Sequence, residues 1–139
     1  MATIRSFTHT DTDAVVSLWQ QTGLTRAWNN PYRDIERKLT EDPELFLVME
    51  EKSKLIGTAM FGYDGHRGWL YYLAIDPACQ HRGHARKLIA KGEEALRKRG
   101  CPKLELMVRD GNAAVIGLYE DLGYERQPVV TLGKRLIED

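Results

Sequence analysis

A strand that runs into a basic, glycine-bearing turn and then into a helix constrains this 139-residue chain more than any other feature. Residues 69–75 form an apolar, aromatic run, and residues 83–99 carry apolar side chains at helical spacing. The turn between them reads Gln80-His81-Arg82-Gly83-His84-Ala85. The first turn of a helix leaves backbone N–H groups unpaired and carries partial positive charge. The sequence therefore predicts a phosphate site at this junction.

The residue types of the turn favour the same ligand. Gly83 lets the backbone approach a ligand closely, and Ala85 adds little bulk. Neither G-x-G-x-x-G nor G-x-x-x-x-G-K-[ST] occurs in the sequence, which argues against a Rossmann or Walker A loop. Cys79 and the two histidines have no fourth ligand nearby in sequence, so we expect no metal. The basic side chains predict a positive field around the turn: His81, Arg82, His84, Arg86 and Lys87.

Composition excludes several classes of function. The formal net charge is zero, so no global field favours binding to nucleic acid or to an acidic membrane. No apolar run approaches the length of a membrane span. The two cysteines, Cys79 and Cys101, need no bridge, and the sequence begins without a signal-like apolar segment, so we expect a cytoplasmic protein. The length and the 42% apolar content predict one domain, residues 1–139.

Hydrophobic periodicity predicts eleven elements in the order β-α-α-β-β-β-α-β-α-β-β. In the second helix, which begins near Pro31, Ile35 and Leu39 are expected to face the core. The pattern indicates an α/β (α+β) fold, with a mixed, twisted sheet of six to seven strands and helices on both faces. The predicted strands are residues 3–7, 45–49, 55–63, 69–75, 103–108, 124–127 and 129–137.

A second motif lies on the last predicted helix. Asn112 is followed seven residues later by Tyr119 and then by Leu122-Gly123-Tyr124. Together with Q-x-x-G-x-A after an aromatic strand, this pattern resembles the GNAT superfamily of N-acetyltransferases, and the resemblance covers the whole chain. A finer resemblance to the bacterial YpeA-type acetyltransferases rests on residues 26–31, 34–38, 62–68 and 132–138.

The resemblance implies the GNAT fold and acetyl-CoA as co-substrate. In that family two central strands splay apart, and the amide-rich pantetheine arm lies beside the first of them as an additional strand. The pyrophosphate meets the backbone amides of the turn, and the tyrosine of the second motif faces the sulfur. The implied cofactor-binding residues are Leu73, Ala74, Ile75, His81, Arg82, Gly83, His84, Ala85, Arg86, Asn112 and Tyr119.

The implied reaction is direct attack of an amine on the thioester, with Tyr119 as general acid. Because an amine arrives as ammonium, it must lose a proton before it attacks. The strand position that often carries a basic glutamate in the family is Trp69 here, and the alternative position is Met107. Glu105 lies on the same face as Met107 and is a candidate base, although a strand glutamate that simply faces solvent fits the pattern as well.

Residues 22–38 and 63–68 would form the acceptor pocket, with Trp28, Tyr32, Asp64 and Trp69 as candidate lining residues. The acceptor is expected to be a small-molecule or peptide amine. The missing strand glutamate also fits an acyl-CoA-binding module with weak catalysis that acts as a sensor or scaffold, and a third interpretation is a nucleotide-binding regulator. The aromatic content is compatible with a homodimer.

Overall fold

The computed structural model describes residues 1–139, and its central element is a five-stranded sheet in the order β1-β2-β3-β4-β5. The pairs β1–β2, β2–β3 and β3–β4 are antiparallel, whereas β4 and β5 are parallel. The strands are β1 (Thr3–Ser6), β2 (Phe46–Glu51), β3 (Lys54–Tyr63), β4 (Gly68–Ile75) and β5 (Leu104–Leu106). The helices are α1 (Thr12–Gln21), α2 (Pro31–Lys38), α3 (His84–Lys98) and α4 (Ala113–Asp121).

Side chains on the two faces of the sheet form two hydrophobic cores. One core lies under α1 and α2 and contains Trp19 and Phe46. The other lies under α3 and α4 and contains Phe61, Leu88 and Tyr119. The prediction of helices on both faces is therefore confirmed.

Helix α2 begins as its sequence predicts but ends earlier. The side chain of Asn30 accepts a hydrogen bond from the Tyr32 N–H at 2.9 Å, and Pro31 occupies the first helical position. Ile35 is buried, as expected. The prediction for Leu39 is wrong, because α2 ends at Lys38 and Leu39 lies exposed just beyond the last turn.

Helix α3 packs closely on the sheet because one of its inward positions has no side chain. A Cβ atom on Gly92 would lie 2.1 Å from the ring of Phe61, which is fully buried. Leu88 and Leu96 flank Gly92 at a spacing of four residues and are buried too. The apolar side chains at helical spacing in residues 83–99 thus form the buried face of α3, as their spacing predicts.

Strand β4 has a paired half and an open half. Gly68, Trp69 and Leu70 pair with β5, and the pairing stops there. The ladder between β3 and β4 shifts register just beyond this point, between Thr58 and Met60 on β3, and Tyr72 has a left-handed φ of 53°. Because a bulge increases local twist, β4 turns away from β5, and residues 71–75 have no strand partner on the β5 side. On this stretch the Ile75 carbonyl accepts a hydrogen bond from the Gln80 side chain at 3.3 Å. The two strands thus separate as the family resemblance implies.

The two closing strands predicted at 124–127 and 129–137 are not formed, so the sheet has five strands and not six to seven. Pro128 lacks an N–H for a ladder, Gly133 weakens a strand interior, and the three-residue β5 offers only a short edge. Residues 125–139 instead follow the surface through polar contacts, among them Asp139 to Arg37 at 2.6 Å. The exposed apolar side chains of this segment are Val129, Val130, Leu132, Leu136 and Ile137.

Candidate active site

Left-handed residues shape the turn between β4 and α3. Asp76 directly follows β4, and its side chain accepts a hydrogen bond from the Ala78 N–H at 2.9 Å. His81 and Gly83 have φ angles of 64° and 80°, and α3 begins at the next residue. A Cβ on Gly83 would meet no atom within 4 Å. Within the protein, glycine is therefore favoured here by its backbone conformation and not by crowding from neighbouring atoms.

The backbone N–H groups of this turn have no partner in the protein. None of the N–H groups from His81 to Arg86 donates a hydrogen bond to a protein atom, and Lys87 is the first that does, to the Gly83 carbonyl at 3.2 Å. The start of a helix leaves four N–H groups free. The turn adds those of His81 and Arg82, so six consecutive donors lie at the positive end of α3. This arrangement can bind a phosphate or diphosphate group.

The side chains of the turn contribute less charge than the sequence predicts. His84 is only 4% exposed because it precedes Leu88 by four residues on the inner face of α3. Its imidazole is therefore enclosed in the protein, whereas the other basic side chains of the turn are exposed. Both imidazole nitrogens are buried without a partner. The Arg82 guanidinium lies 2.9 and 3.2 Å from the two carboxylate oxygens of Glu51, so its charge is largely balanced.

Tyr119 borders a cavity of about 650 Å³ beside β5 and α4. Its ring is packed in the core, 7% exposed, and its hydroxyl makes no hydrogen bond. Burial raises the pKa of the phenol to about 12, so it stays protonated at neutral pH. The neighbouring Tyr124 ring lies edge-on at 5.6 Å, and its hydroxyl donates to Glu93 at 2.6 Å. Of these two phenols, only Tyr119 has a free hydroxyl.

Glu105 borders the same cavity as Tyr119, together with Trp69 and Met107. Its Oε1 atom lies 3.5 Å from the Lys103 ammonium and 3.7 Å from Nε of Arg67. The carboxylate is therefore engaged by two cations at the rim of the cavity. The structure brings Glu105 and Tyr119 to one cavity but gives Glu105 a role in surface ion pairs.

The residues predicted for the acceptor pocket are dispersed. Trp28 is 62% exposed, and Tyr32 is 43% exposed. Asp64 shapes the β3–β4 turn, where its Oδ1 accepts the N–H groups of His66 and Arg67 at 2.8 and 2.7 Å. Of the four candidates, only Trp69 borders the 650 Å³ cavity.

Asn112 caps the helix that carries Tyr119. Its Oδ1 accepts a hydrogen bond from the Val115 N–H at 3.4 Å, which orients the start of α4. The side-chain NH₂ group has no partner and lies on the surface. Asn112 can therefore cap the helix and donate to a ligand at the same time.

A second cavity of about 390 Å³ lies between α2 and the β3–β4 hairpin. Its α2 residues fall within the segment 22–38 predicted for the acceptor pocket, but none of the four predicted lining residues borders it. The Tyr72 ring stacks on Trp19 at 3.7 Å, and the Tyr72 hydroxyl donates to Asp34 at 2.6 Å. These contacts hold Tyr72 in its left-handed conformation. The residues next to Tyr72 in sequence do not predict this left-handed conformation, because it arises from a bulge in the pairing of β4 with β3. The lining residues are Asp34, Arg37, Lys38, Glu41, Met60, Phe61, Gly62, Tyr71 and Tyr72.

Comparison with known proteins identifies the family. Residues 7–124 match the model of the acetyltransferase (GNAT) family. The chain belongs to this family. It is 54% identical to an acetyltransferase from Pectobacterium atrosepticum over 136 residues, which cover 98% of this chain and 96% of that protein. The resemblance inferred from the two motifs is confirmed.

Solved structures agree with the GNAT fold. The ribosomal-protein-S18-alanine N-acetyltransferase from Escherichia coli is 30% identical, with a TM-score of 0.74 over 88% of this chain and 77% of that chain. A structure of AAC(6')-Iy in complex with the bisubstrate analogue CoA-S-monomethyl-acetylneamine gives a TM-score of 0.79 at 20% identity, over 97% of this chain and 99% of that chain. The second likeness concerns the fold alone.

Proposed function

We propose that this GNAT chain is an acetyl-CoA-dependent N-acetyltransferase that moves an acetyl group directly from the thioester to a primary amine of a small molecule or peptide. The observation that carries the proposal is the run of six unpaired N–H groups from His81 to Arg86, directly after the open edge of β4. Phosphate oxygens accept hydrogen bonds from such groups, and an amide-rich arm pairs with an open strand edge.

The open edge and the turn divide the recognition of acetyl-CoA between them. The backbone of Leu73, Ala74 and Ile75 would pair with the pantetheine amides, and the turn from His81 to Arg86 would hold the diphosphate. The free NH₂ group of Asn112 would donate to the arm from the side of α4. AAC(6')-Iy, which shares this fold, was solved in complex with an analogue that contains CoA. The fold is therefore compatible with CoA as the carrier of the donated group.

Tyr119 would act where the carbon–sulfur bond breaks. The amine nitrogen, after losing a proton, forms a bond to the thioester carbonyl carbon, and the resulting tetrahedral intermediate expels the thiolate. The phenol of Tyr119, which has no partner in the protein, donates a hydrogen bond to the sulfur as its negative charge develops. Its pKa of about 12 keeps the proton available throughout the neutral range.

A second candidate function is a catalytically weak acyl-CoA-binding module that acts as a sensor or scaffold. The ion pairs of Glu105 with Arg67 and Lys103 favour it, because they leave this carboxylate less free to take a proton from the amine. For the enzyme, we propose that water or several groups share the removal of that proton.

The experiment that separates these functions combines CoA calorimetry with release of free thiol from acetyl-CoA. The amine panel contains peptide N-termini, polyamines, aminoglycosides and amino acids. The enzyme proposal expects CoA binding and an amine that accelerates thiol release well above background hydrolysis. CoA binding without turnover on any amine would favour the binding module. Binding of ATP or NAD in place of CoA would favour a nucleotide-binding regulator and contradict both.

We further propose that the activity belongs to a single domain, residues 1–139, in the cytoplasm. Both cysteines, Cys79 and Cys101, are free thiols, which fits a reducing compartment. No helix of the structure reaches the length and hydropathy of a bilayer span.

A further inference from the structure

The 390 Å³ cavity lies where an acceptor would meet the thioester, if the arm binds as proposed above; the inference below rests on that proposed function. Tyr71 and Tyr72 line the cavity and directly precede Leu73–Ile75, the residues that would hold the arm. The turn from His81 to Arg86, which would hold the diphosphate, follows the other end of the same edge. The thioester would therefore emerge at Tyr71 and Tyr72, beside this cavity.

Most of the charge in the cavity wall is already balanced within the protein. The Asp34 carboxylate accepts hydrogen bonds from Tyr72 and from the side chain of Asn29, each at 2.6 Å, and from Arg37 at 3.2 Å. Arg37 is in turn bound to Asp139 at 2.6 Å. These groups form a closed network and have little capacity left for a charged ligand.

Lys38 is the exception. Its ammonium forms no hydrogen bond and no ion pair within 4.0 Å, although the side chain is only partly exposed. Partial burial lowers the pKa of Lys38, and the nearby carboxylates of Asp42, Glu44 and Glu41 oppose this only in part. Asp42 and Glu44 also pair with Arg99. The Nζ atom lies over Gly62, 3.6 Å from where a Cβ of that residue would be. An unpaired, partly buried ammonium is costly, and a bound anion would offset that cost.

The remaining features of the cavity set the size and character of the ligand. About 390 Å³ is near the lower end of the roughly 300–1,000 Å³ range of small-molecule sites, so it suits a small acceptor. Glu41, at the exposed rim, is the only other charged lining residue without an ion pair. Tyr71 and Met60 offer apolar surface for a side chain. A polyamine or aminoglycoside would place several positive charges near Lys38, which disfavours both.

We propose that the acceptor is a small amino carboxylate, of the α-amino acid class, whose carboxylate pairs with Lys38 while its amine faces the thioester beside Tyr71 and Tyr72. Lys38 is then the residue that selects the acceptor, and it takes no part in the chemical step. The class of compound follows from the one free cation of the cavity and from its volume.

The first test compares amino acids with their carboxamides as acceptors. L-Methionine and L-phenylalanine are each paired with the corresponding amide, which keeps the amine and side chain but removes the negative charge. The wild type is expected to favour the acids by about 10-fold or more in kcat/KM. The amides have the less basic amine and supply more free base, so this preference would run against intrinsic reactivity. Equal or greater kcat/KM for the amides would overturn the proposal.

Variants of Lys38 assign the preference to this residue. Lys38→Met is expected to reduce the acid-to-amide ratio of kcat/KM to within about threefold of unity, while Lys38→Arg retains most of the ratio. Lys91→Met, on the exposed face of α3, is the matched control and should leave the ratio unchanged. An unchanged ratio in Lys38→Met, with folding confirmed by the melting temperature and CoA affinity, would contradict the assignment.

Calorimetry separates failure of this inference from failure of the proposed function. CoA-loaded wild-type protein should bind L-methionine more tightly than L-methioninamide, and Lys38→Met should remove the difference. Lys38-dependent binding without acetyl transfer would refute the transferase proposal and support the carboxylate site. Acetyl transfer to amines without any preference for a carboxylate would support the transferase proposal and refute the carboxylate site.

Discussion

The two ends of helix α3 have a glycine of the same backbone conformation, but they differ in whether their backbone N–H groups are hydrogen-bonded. Gly83 at the start and Gly100 at the end both have φ angles of 80°, and a Cβ on either would meet open space. The end is closed: the N–H groups of Gly100 and Cys101 bond to the carbonyls of Arg97 and Leu96 in a Schellman arrangement. The start is open, with six unpaired donors. A glycine thus lies at both ends, and only the unpaired backbone N–H groups distinguish the candidate binding site from the helix stop.

The same contrast recurs in the side chains. Tyr119 and Tyr124 are in contact, and only Tyr119 has an unpaired hydroxyl. Lys38 is unpaired in its cavity, whereas the neighbouring Arg37 is bound to Asp139. If unsatisfied groups mark the functional site, removing them should affect function and removing their satisfied neighbours should affect stability.

The largest effect is expected from Tyr119→Phe. Turnover should fall roughly 10- to 1,000-fold, the range for loss of a proton donor or of a hydrogen bond to developing charge. CoA affinity and melting temperature should barely change, because the hydroxyl makes no hydrogen bond in the protein. Tyr124→Phe is the control: it should cost about 1–2 kcal/mol of stability through the lost bond to Glu93 and retain turnover. Full activity of Tyr119→Phe would rule out its catalytic role.

Substitution of Gly83 should have the next largest effect. In Gly83→Val a β-branched residue must adopt a φ of 80°, which costs about 1–2 kcal/mol or displaces the amides of the turn. Losing one or two charge-assisted hydrogen bonds would weaken CoA binding about 30-fold or more. Gly100→Val carries the same strain at the closed end, so it should lower stability and leave CoA affinity unchanged. Calorimetry and thermal melts on both variants check this. Similar CoA affinities for Gly83→Val and Gly100→Val would contradict the claim that only the start of α3 binds CoA.

A smaller effect is expected from Glu105→Gln. Because Lys103 and Arg67 already engage this carboxylate, turnover should fall much less than the roughly 100-fold expected for loss of a positioned base. The measurement is the pH profile of kcat. A larger fall, with the profile displaced to higher pH, would identify Glu105 as the base.

The smallest effect is expected from Arg82→Ala. Arg82 must leave Glu51 to reach a phosphate, so its net contribution to CoA affinity should be about threefold at physiological salt and greater at low salt. Lys98→Ala, at the closed end of α3, is the control and should leave CoA affinity unchanged at either salt concentration. A loss for Arg82→Ala that does not depend on salt would show that the guanidinium acts by shaping the turn.

Much of the fold could be predicted from the sequence because it depends on local signals. Asn30-Pro31 starts α2, and glycine with a following proline stops α3, in each case through backbone chemistry within a few residues. The missing closing strands show the limit of such reasoning. A strand needs the edge of another strand to pair with. Whether β5 is long enough to offer that edge cannot be judged from residues 124–137 themselves.

The candidate site also has parts that local sequence predicts and parts that depend on distant segments. The turn with the unpaired N–H groups could be predicted as a candidate phosphate site, because the glycine, the basic residues and the helix start are adjacent in sequence. The burial of His84 could also have been predicted from its spacing of four residues to Leu88. For the cavity of Lys38, the segment 22–38 could be predicted but the lining residues could not, because they depend on a bulge at Tyr72 and on how helix α2, more than thirty residues earlier, packs beside it.

The most direct measurement is a titration of the ¹⁵N-labelled protein with CoA, followed through the backbone amide resonances. If the open end of α3 is the cofactor site, the amides from His81 to Arg86 should show the largest changes, with downfield displacements typical of hydrogen bonds to phosphate. Smaller changes should follow along residues 71–75, and Arg99 to Cys101 at the closed end should be unaffected. Saturable CoA binding that leaves the amides from His81 to Arg86 unchanged would contradict the assignment of this turn.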